Sequence, residues 1–148
     1  MSSTLPRILF LCTGNSCRSQ MAEGYARQLR SQHFQAYSAG IVAHGQNSNA
    51  IRVMAEDGVD ITVQQSKTLQ SLLDAGVTFD VVFTVCGHAD ENCPLFPGKT
   101  RVIHHGFDDP PKLAKSAATA EEALQHYRRV RDEIRAWVQG LELPSSTL

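Results

Sequence analysis

The sequence has no long hydrophobic run and no excess of charge of either sign. The longest apolar run near its start, Ile8 to Cys12, is too short for a secretory signal, and no stretch approaches the ~20 apolar residues of a membrane span. The net charge is -1, so the basic excess typical of proteins that bind nucleic acids or anionic membranes is missing. These absences predict a cytoplasmic protein that binds neither nucleic acid nor membrane.

Cysteine is scarce, with four residues in 148, and this count does not suggest a disulfide framework. Thiols stay reduced in the cytoplasm, so the cysteines are expected to be free, catalytic or metal-binding: Cys12, Cys17, Cys86 and Cys93. The length predicts one domain, residues 1–148, which buries roughly two-thirds of its unfolded surface without crosslinks.

Short apolar strands alternate with amphipathic helices along the chain. Strands are predicted at 7–12, 34–40, 79–86 and 100–105, and helices at 19–32, 66–75 and 120–141. A further helix is predicted in the segment 47–60, with Asn47 or Ser48 as its cap and Gly58 as its stop. Met21, Tyr25 and Leu29 are expected to share the buried face of the first helix. This alternation is typical of α/β proteins with a mostly parallel sheet, in which ligands bind at the carboxyl ends of the strands.

The segment between the first strand and the first helix, "CTGNSCRS", carries the most specific chemistry. Cys12 and Arg18 form a C-x5-R loop, which can wrap a tetrahedral oxyanion with inward-pointing backbone N–H groups. Arg18 can bind two anion oxygens as a fork. The expected oxyanion-binding residues are Thr13, Gly14, Asn15, Ser16, Cys17, Arg18 and Ser19.

The loop N–H groups and the Arg18 guanidinium also favour the thiolate of Cys12, which is the nucleophilic form of the side chain. The Ser19 hydroxyl can donate a hydrogen bond to this thiolate. Cys17 is expected to be structural. The alternative is a chance spacing around a core cysteine, which the strand before and the helix after disfavour.

The longer motif "CTGNSCRSQMAEG" resembles the signature of arsenate reductases built on the low-molecular-weight protein tyrosine phosphatase fold. The resemblance continues over nearly the whole chain, in "YSAG", "VCGHADENCP", "HGFDDP" and "RRVRDEI". It implies a three-layer α/β sandwich, with a four-stranded parallel sheet and helices on both faces.

The loop alone does not separate a phosphatase from a reductase, because phosphate and arsenate are near-isosteric. By resemblance, Cys86 and Cys93 match the extra thiol pair of the thioredoxin-coupled arsenate reductases. Other interpretations of this pair are a buried strand cysteine with a loop cysteine, or a zinc site with His88. C-x-H-x4-C is not a common zinc spacing, so neither metal nor cofactor is expected.

Two further positions favour the reductase. Tyrosine phosphatases of this fold usually carry a proline after "CRS" and an aromatic residue after "DP", where this chain has Gln20 and Pro111. A weak activity on small phosphoesters is still expected. The alternatives are a protein tyrosine or small-phosphoester phosphatase with incidental Cys86 and Cys93, and a non-catalytic oxyanion sensor.

The resemblance also implies the reaction. Cys12 forms an adduct with arsenate, Asp109 acts as acid, and a disulfide passes from Cys12–Cys86 to Cys86–Cys93 before thioredoxin reduces it. Arsenite is the product, and a monomer is expected. Some family members hold potassium where this chain has Asn15, Glu23 and Ser38. Lys67 replaces the aspartate of that site, so no cation is expected here.

Overall fold

A computed structural model describes residues 5–85 and 100–144. The strands are β1 (Arg7–Cys12), β2 (Gln35–Gly40), β3 (Val81–Thr84) and β4 (Arg101–His104). The helices are α1 (Arg18–Leu29), α2 (Ser48–Glu56), α3 (Leu69–Asp74), α4 (Pro110–Ala114) and α5 (Ala120–Gln139). Within the described ranges, no helix combines the length and the apolar character that crossing a bilayer requires.

The strands form one parallel sheet of four strands in the order β2-β1-β3-β4. In this register Cys12 lies opposite Gly40 on one neighbouring strand, and Leu11 lies opposite Thr84 on the other. The carboxyl ends of β1, β2 and β3 therefore meet at one edge of the sheet. The predicted parallel sheet is confirmed, and the residue that ends its inner strand β1 is Cys12.

Helices cover both faces of the sheet, because each strand sends alternate side chains to opposite sides. On one face Ile8 and Phe10 pack in a core that includes buried residues of α1, α2 and α5. On the other face Leu9 and Leu11 pack in a smaller core that Leu69 and Leu72 of α3 flank. The three-layer sandwich that the resemblance implied is thus confirmed.

The helices differ from the sequence-based prediction at several points. Leu29 is 39% exposed, because eight residues at 100° each place it about 80° away from Met21 around the helix axis. α3 begins later than predicted, after Thr68, whose side chain accepts from the Ser71 backbone N–H. α4 was not predicted, although its Pro110–Pro111 start is well suited to a first helical turn.

An aromatic cluster lies between the sheet and α5. Trp137 of α5 stacks on His105, with ring centroids 4.9 Å apart, and meets Phe107 edge-on at 5.4 Å. It also contacts the rings of Phe10 and Phe83 edge-on. This cluster packs the segment that leads from β4 to α4 against the core.

Candidate active site

A pocket of about 360 Å³ opens beside the carboxyl end of β1. It lies over the 12–18 loop, which joins β1 to α1. The pocket is lined by Cys12, Thr13, Gly14, Ser16, Cys17, Arg18, His44, Asp109 and Pro111. Most of the residues expected to bind an oxyanion therefore surround one cavity, and Asp109 shares it with Cys12 although they are far apart in sequence.

The backbone of the 12–18 loop is oriented by the segment that follows β2. Three N–H groups of that segment donate to loop carbonyl oxygens, at 3.0 to 3.1 Å: Val42 to Thr13, His44 to Gly14 and Asn47 to Ser16. The N–H of a trans peptide points opposite to its carbonyl. Because these carbonyl groups point away from the loop, toward the neighbouring segment, the N–H groups of the same peptides point into the loop. Inward-pointing N–H groups are what a cradle for an anion requires.

Two residues allow the loop to take this tight path. Asn15 has φ +47°, in the left-handed region that asparagine tolerates better than most residues. Gly40 at the end of β2 lies so close that a Cβ there would be 2.6 Å from the Thr13 carbonyl oxygen and 2.8 Å from the Asn15 nitrogen. A side chain at position 40 would therefore displace the loop.

The sulfur of Cys12 has a hydroxyl partner inside the protein. Cys12 Sγ lies 3.0 Å from Ser19 Oγ, and both residues are buried. Asn15 Nδ2 donates to the same Ser19 oxygen at 2.9 Å. A Cys12 thiolate carries no proton, so with the sulfur in that form the Ser19 hydroxyl is the donor of this bond. This arrangement favours a negative charge on Cys12.

The second cysteine of the loop is in a different state. Cys17 precedes α1 and is 4% exposed, and burial raises the pKa of its thiol well above the usual range. Arg18 and Asp109 act on this thiol in opposite directions and do not cancel the effect of burial. Cys17 therefore remains a neutral thiol at neutral pH.

Arg18 is positioned by groups far from it in sequence, in the segment that joins β4 to α4. Its Nη1 donates to the Phe107 carbonyl oxygen at 3.0 Å, and its Nη2 lies 3.7 Å from Asp109 Oδ1. Arg18 is 5% exposed, whereas Asp109 is partly open to solvent at the start of α4. The arrangement holds a guanidinium and a carboxyl group at the pocket that contains Cys12.

Two predicted site residues, Cys86 and Cys93, lie outside the described residues. Conversely, the sequence analysis missed His44, which lines the pocket. Its ring lies on Gly14, since a Cβ there would be 3.1 Å from His44 Cγ. A single histidine in a loop carries no signal of its own, so only the fold reveals this position.

Glu23 and Lys67, which align with the potassium site that the resemblance implied, form an ion pair. Ser38 Oγ donates to Glu23 Oε1 at 2.5 Å, and Lys67 Nζ lies 3.5 Å from the same oxygen. Among residues 5–85 and 100–144, no group of three His, Cys, Asp or Glu side chains is arranged to hold a metal ion. The Lys67 ammonium thus occupies the space next to the Glu23 carboxylate.

Comparisons with known proteins agree with this geometry. The model of the low molecular weight phosphotyrosine protein phosphatase family matches residues 7–144. An arsenate reductase of Halalkalibacterium halodurans is 52% identical over 128 residues, which cover 86% of this chain and 88% of that protein.

Solved structures of similar shape include an arsenate reductase in the phosphate binding state, with a TM-score of 0.71 and 27% identity over 91% of this chain and 95% of that one. An arsenate reductase in the oxidized state also has a TM-score of 0.71, with 28% identity over 93% and 96% of the two chains.

Proposed function

Because the chain belongs to the low molecular weight phosphotyrosine protein phosphatase family, we propose that it attacks a tetrahedral oxyanion with a cysteine thiolate. We further propose that this oxyanion is arsenate, which the enzyme reduces to arsenite in arsenic detoxification. The observation that carries the proposal is the arrangement of Cys12, Arg18 and Asp109 around one pocket, in a chain whose relatives are named arsenate reductase.

The first step is adduct formation at arsenic. The Cys12 thiolate, with the Ser19 hydroxyl as its donor, attacks the arsenic atom while Arg18 and the loop N–H groups balance the anionic oxygens. One arsenate oxygen leaves as water, with a proton from Asp109 and another from solvent. The arsenic remains pentavalent in the resulting Cys12–arsenic adduct.

The second step reduces the arsenic by two electrons. The Cys86 thiolate attacks Cys12 Sγ, and the electron pair of the sulfur–arsenic bond moves to arsenic, which departs as arsenite. A Cys12–Cys86 disulfide is left behind. Cys93 then attacks Cys86, so that Cys12 is released as a thiolate and the disulfide becomes Cys86–Cys93. The family resemblance of the sequence supports these two roles, and both cysteines lie outside the described residues.

A dithiol protein must supply the two electrons that restore the Cys86–Cys93 thiols, and we propose thioredoxin for this role. We also propose that the chain acts as a single-domain monomer in the cytoplasm, without a metal or another cofactor. Its Cys12 thiolate would also give a weak activity on small phosphoesters, because the first step with a phosphate ester has the same geometry.

The experiment that tests the proposal is arsenite release from arsenate, with thioredoxin, thioredoxin reductase and NADPH as the source of electrons. The wild-type protein should release arsenite and consume NADPH in a 1:1 ratio. Cys12→Ser should abolish arsenite release and aryl phosphate hydrolysis together, since both need the same thiolate.

Two other outcomes would replace the proposal. Hydrolysis of an aryl phosphate without any arsenite release would identify a phosphatase in which Cys86 and Cys93 are incidental. Binding of phosphate or arsenate without either reaction would identify an oxyanion sensor. Retention of either activity by Cys12→Ser would remove Cys12 from its assigned role.

A further inference from the structure

Two buried glutamines lie behind the 12–18 loop and have no part in the proposed reaction. Gln20 belongs to α1 and is 0% exposed, and Gln64 lies between α2 and α3 and is 6% exposed. A buried amide is costly unless its donors and acceptor are satisfied. The partners of these two side chains therefore show which groups they serve.

The orientation of Asn15, the residue nearest to them in the loop, is set by the backbone. Asn15 Oδ1 accepts a hydrogen bond from the Lys67 backbone N–H at 2.8 Å. A backbone N–H can only donate, so this atom of Asn15 must be the oxygen. The Asn15 amide nitrogen therefore faces Ser19, where it donates to Oγ.

The orientation of Gln20 is set in the same way. Its Nε2 lies 2.9 Å from the Gln65 carbonyl oxygen and 3.3 Å from the Asn15 carbonyl oxygen, which can only accept. The same nitrogen donates to Asn15 Oδ1 at 3.1 Å. The oxygen of Gln20 consequently faces the other way, toward Gln64.

Gln64 completes the series. Its Nε2 donates to Gln20 Oε1 at 2.8 Å and to the Gln20 backbone carbonyl at 3.0 Å. The backbone carbonyl again leaves only one orientation for the amide. Gln46 Nε2 is a second, more distant donor to Gln20 Oε1, at 3.4 Å.

When Cys12 is a thiolate, these bonds make one chain in which every donor points toward the sulfur. The chain runs through Gln64, Gln20, Asn15, Ser19 and Cys12, with successive distances of 2.8, 3.1, 2.9 and 3.0 Å. We infer that Gln64 and Gln20 are positioning residues for Cys12. They act through Asn15, and they keep the Ser19 hydroxyl oriented as a hydrogen-bond donor to the Cys12 thiolate.

The physical basis is cooperative polarisation. Each hydrogen bond in such a series strengthens the next, by about 10–30% in a buried setting. If Gln20 no longer donates to Asn15, the Asn15 amide loses one of the two donors that hold its oxygen, the other being the Lys67 N–H. The Lys67 N–H still fixes the orientation of Asn15, but the Asn15 amide is less polarised, so it donates less strongly to Ser19, and Ser19 in turn donates less strongly to the Cys12 sulfur.

The inference rests on the proposed role of Cys12 as the nucleophile, but it can be tested without arsenate. Alkylation of Cys12 by iodoacetamide reports how much of the sulfur is thiolate at each pH. Among residues 5–85 and 100–144, the other titratable or charged groups that line the pocket are Cys17, Arg18, His44 and Asp109, and none of them changes in the variants.

We would measure Cys12 alkylation from pH 4 to pH 9, following the Cys12 peptide by mass spectrometry. Gln64→Met should raise the pH of half-maximal alkylation by about 0.3 unit, which is about a two-fold slower reaction in acid. Gln20→Met should raise it by about 1 unit, or about ten-fold, because the hydrogen bond to Asn15 itself is lost.

Gln46→Met is the matched control. Gln46 donates to the Ile61 and Gln64 backbone carbonyls, so this change loosens the same region and removes only the weakest donor to Gln20. It should lower the melting temperature but move the alkylation profile by less than Gln64→Met does.

Two results would overturn the inference. One is an alkylation profile that is unchanged in both Gln64→Met and Gln20→Met, and the other is a profile that shifts equally in Gln46→Met and Gln64→Met. Either result would show that the glutamines contribute only to the packing of this region. Should Gln20→Met not fold, the comparison of Gln64→Met with Gln46→Met decides the matter alone. If the wild-type protein released no arsenite, the shifted profiles would still support the chain of hydrogen bonds, so the two failures can be told apart.

Discussion

Arg18 is held in place by the protein before any substrate arrives. The Phe107 carbonyl oxygen accepts from Nη1, while Asp109 lies beside Nη2. A guanidinium fixed in this way needs little reordering to bind two oxygens of an anion. These contacts therefore fix the orientation of the planar Arg18 guanidinium, and we expect this geometry to matter in addition to the charge.

Replacing Arg18 with lysine tests this view at the residue scale. Arg18→Lys should lower kcat/KM for arsenate by about 100-fold or more, because one ammonium cannot replace two parallel donors. Arg52→Lys, on the exposed face of α2, is the control and should leave kcat/KM unchanged. A decrease of less than about three-fold in Arg18→Lys would show that charge is sufficient.

A second prediction at this scale concerns Lys67. Its ammonium pairs with the buried Glu23 carboxylate, so the wild-type protein should melt at the same temperature in potassium and in sodium chloride. Lys67→Met should lower the free energy of unfolding by about 1–3 kcal/mol, because a buried carboxylate loses a partner. Potassium should restore part of this loss in the variant.

Thermal melts in both salts at equal ionic strength measure this effect. Lys112→Met, on α4, is the control for loss of a lysine charge. A higher melting temperature or rate of the wild-type protein in potassium than in sodium would contradict the prediction.

The positions of several site residues follow from the sequence because the motif is local. Cys12 and Arg18 are separated by one loop between a strand and a helix, so their meeting requires only that the two elements form. His44 and Gln64 reach the site through the folding of distant loops, and nothing in their own sequence neighbourhood marks them. Asp109 was predicted through the family resemblance alone.

At the scale of elements, three helices meet at Asp57, which follows α2. Tyr25 of α1 donates to Asp57 Oδ2 at 2.7 Å, and Arg135 of α5 donates to both carboxylate oxygens at 2.9 and 3.0 Å. Burial raises the pKa of Tyr25, so its hydroxyl stays a donor. The Tyr25 hydrogen bond and then the Arg135 pair hold the pKa of Asp57 below its usual range.

A group whose folded-state pKa is lowered stabilises the fold above its unfolded pKa of about 3.9 and loses that effect as the pH falls through the folded value. Asp57→Asn should therefore lower the free energy of unfolding by about 1–2 kcal/mol at pH 7, and the deficit should shrink below about pH 4. Urea unfolding from pH 2.5 to pH 7 measures this.

The control for that experiment is Asp74→Asn at the exposed end of α3, where the carboxylate accepts a hydrogen bond from Gln70 of the same helix. Its deficit should be small at every pH. An Asp57→Asn deficit that stayed constant down to pH 2.5 would show that Asp57 acts through packing and not through its charge.

The elements themselves were largely predictable because hydrophobic periodicity reflects burial. β1 has the predicted bounds, and α5 buries Tyr127, Val130 and Ile134, which recur at helical spacing along one face. The misses occurred where a few residues decide the outcome, as in the five-residue α4, which rests on a proline start and its packing on α5. Short helices carry too little periodicity to be seen in sequence.

At the scale of the whole molecule, the proposed reaction must pass a disulfide between segments far apart in sequence. Cys86→Ser should stop arsenite release and leave hydrolysis of a small aryl phosphate intact, because hydrolysis needs Cys12 alone. Cys93→Ser should still form the Cys12–Cys86 disulfide but should not turn over with thioredoxin.

Thiol counting and peptide mapping after one round with arsenate distinguish the two variants. The aryl phosphate assay is the control that each variant is folded and that its Cys12 is reactive. Steady turnover of Cys93→Ser with thioredoxin at the wild-type rate would remove Cys93 from the sequence of thiol exchanges.

The position of Trp137 has a practical consequence for watching the molecule at work. It is the only tryptophan in the chain, and it stacks on His105 and contacts Phe107, whose carbonyl oxygen holds Arg18. The fluorescence of the protein therefore comes from an indole in contact with the residue that accepts a hydrogen bond from Arg18. We therefore expect the emission of Trp137 to change when an oxyanion binds to Arg18, so that stopped-flow fluorescence would measure binding and release without any attached dye.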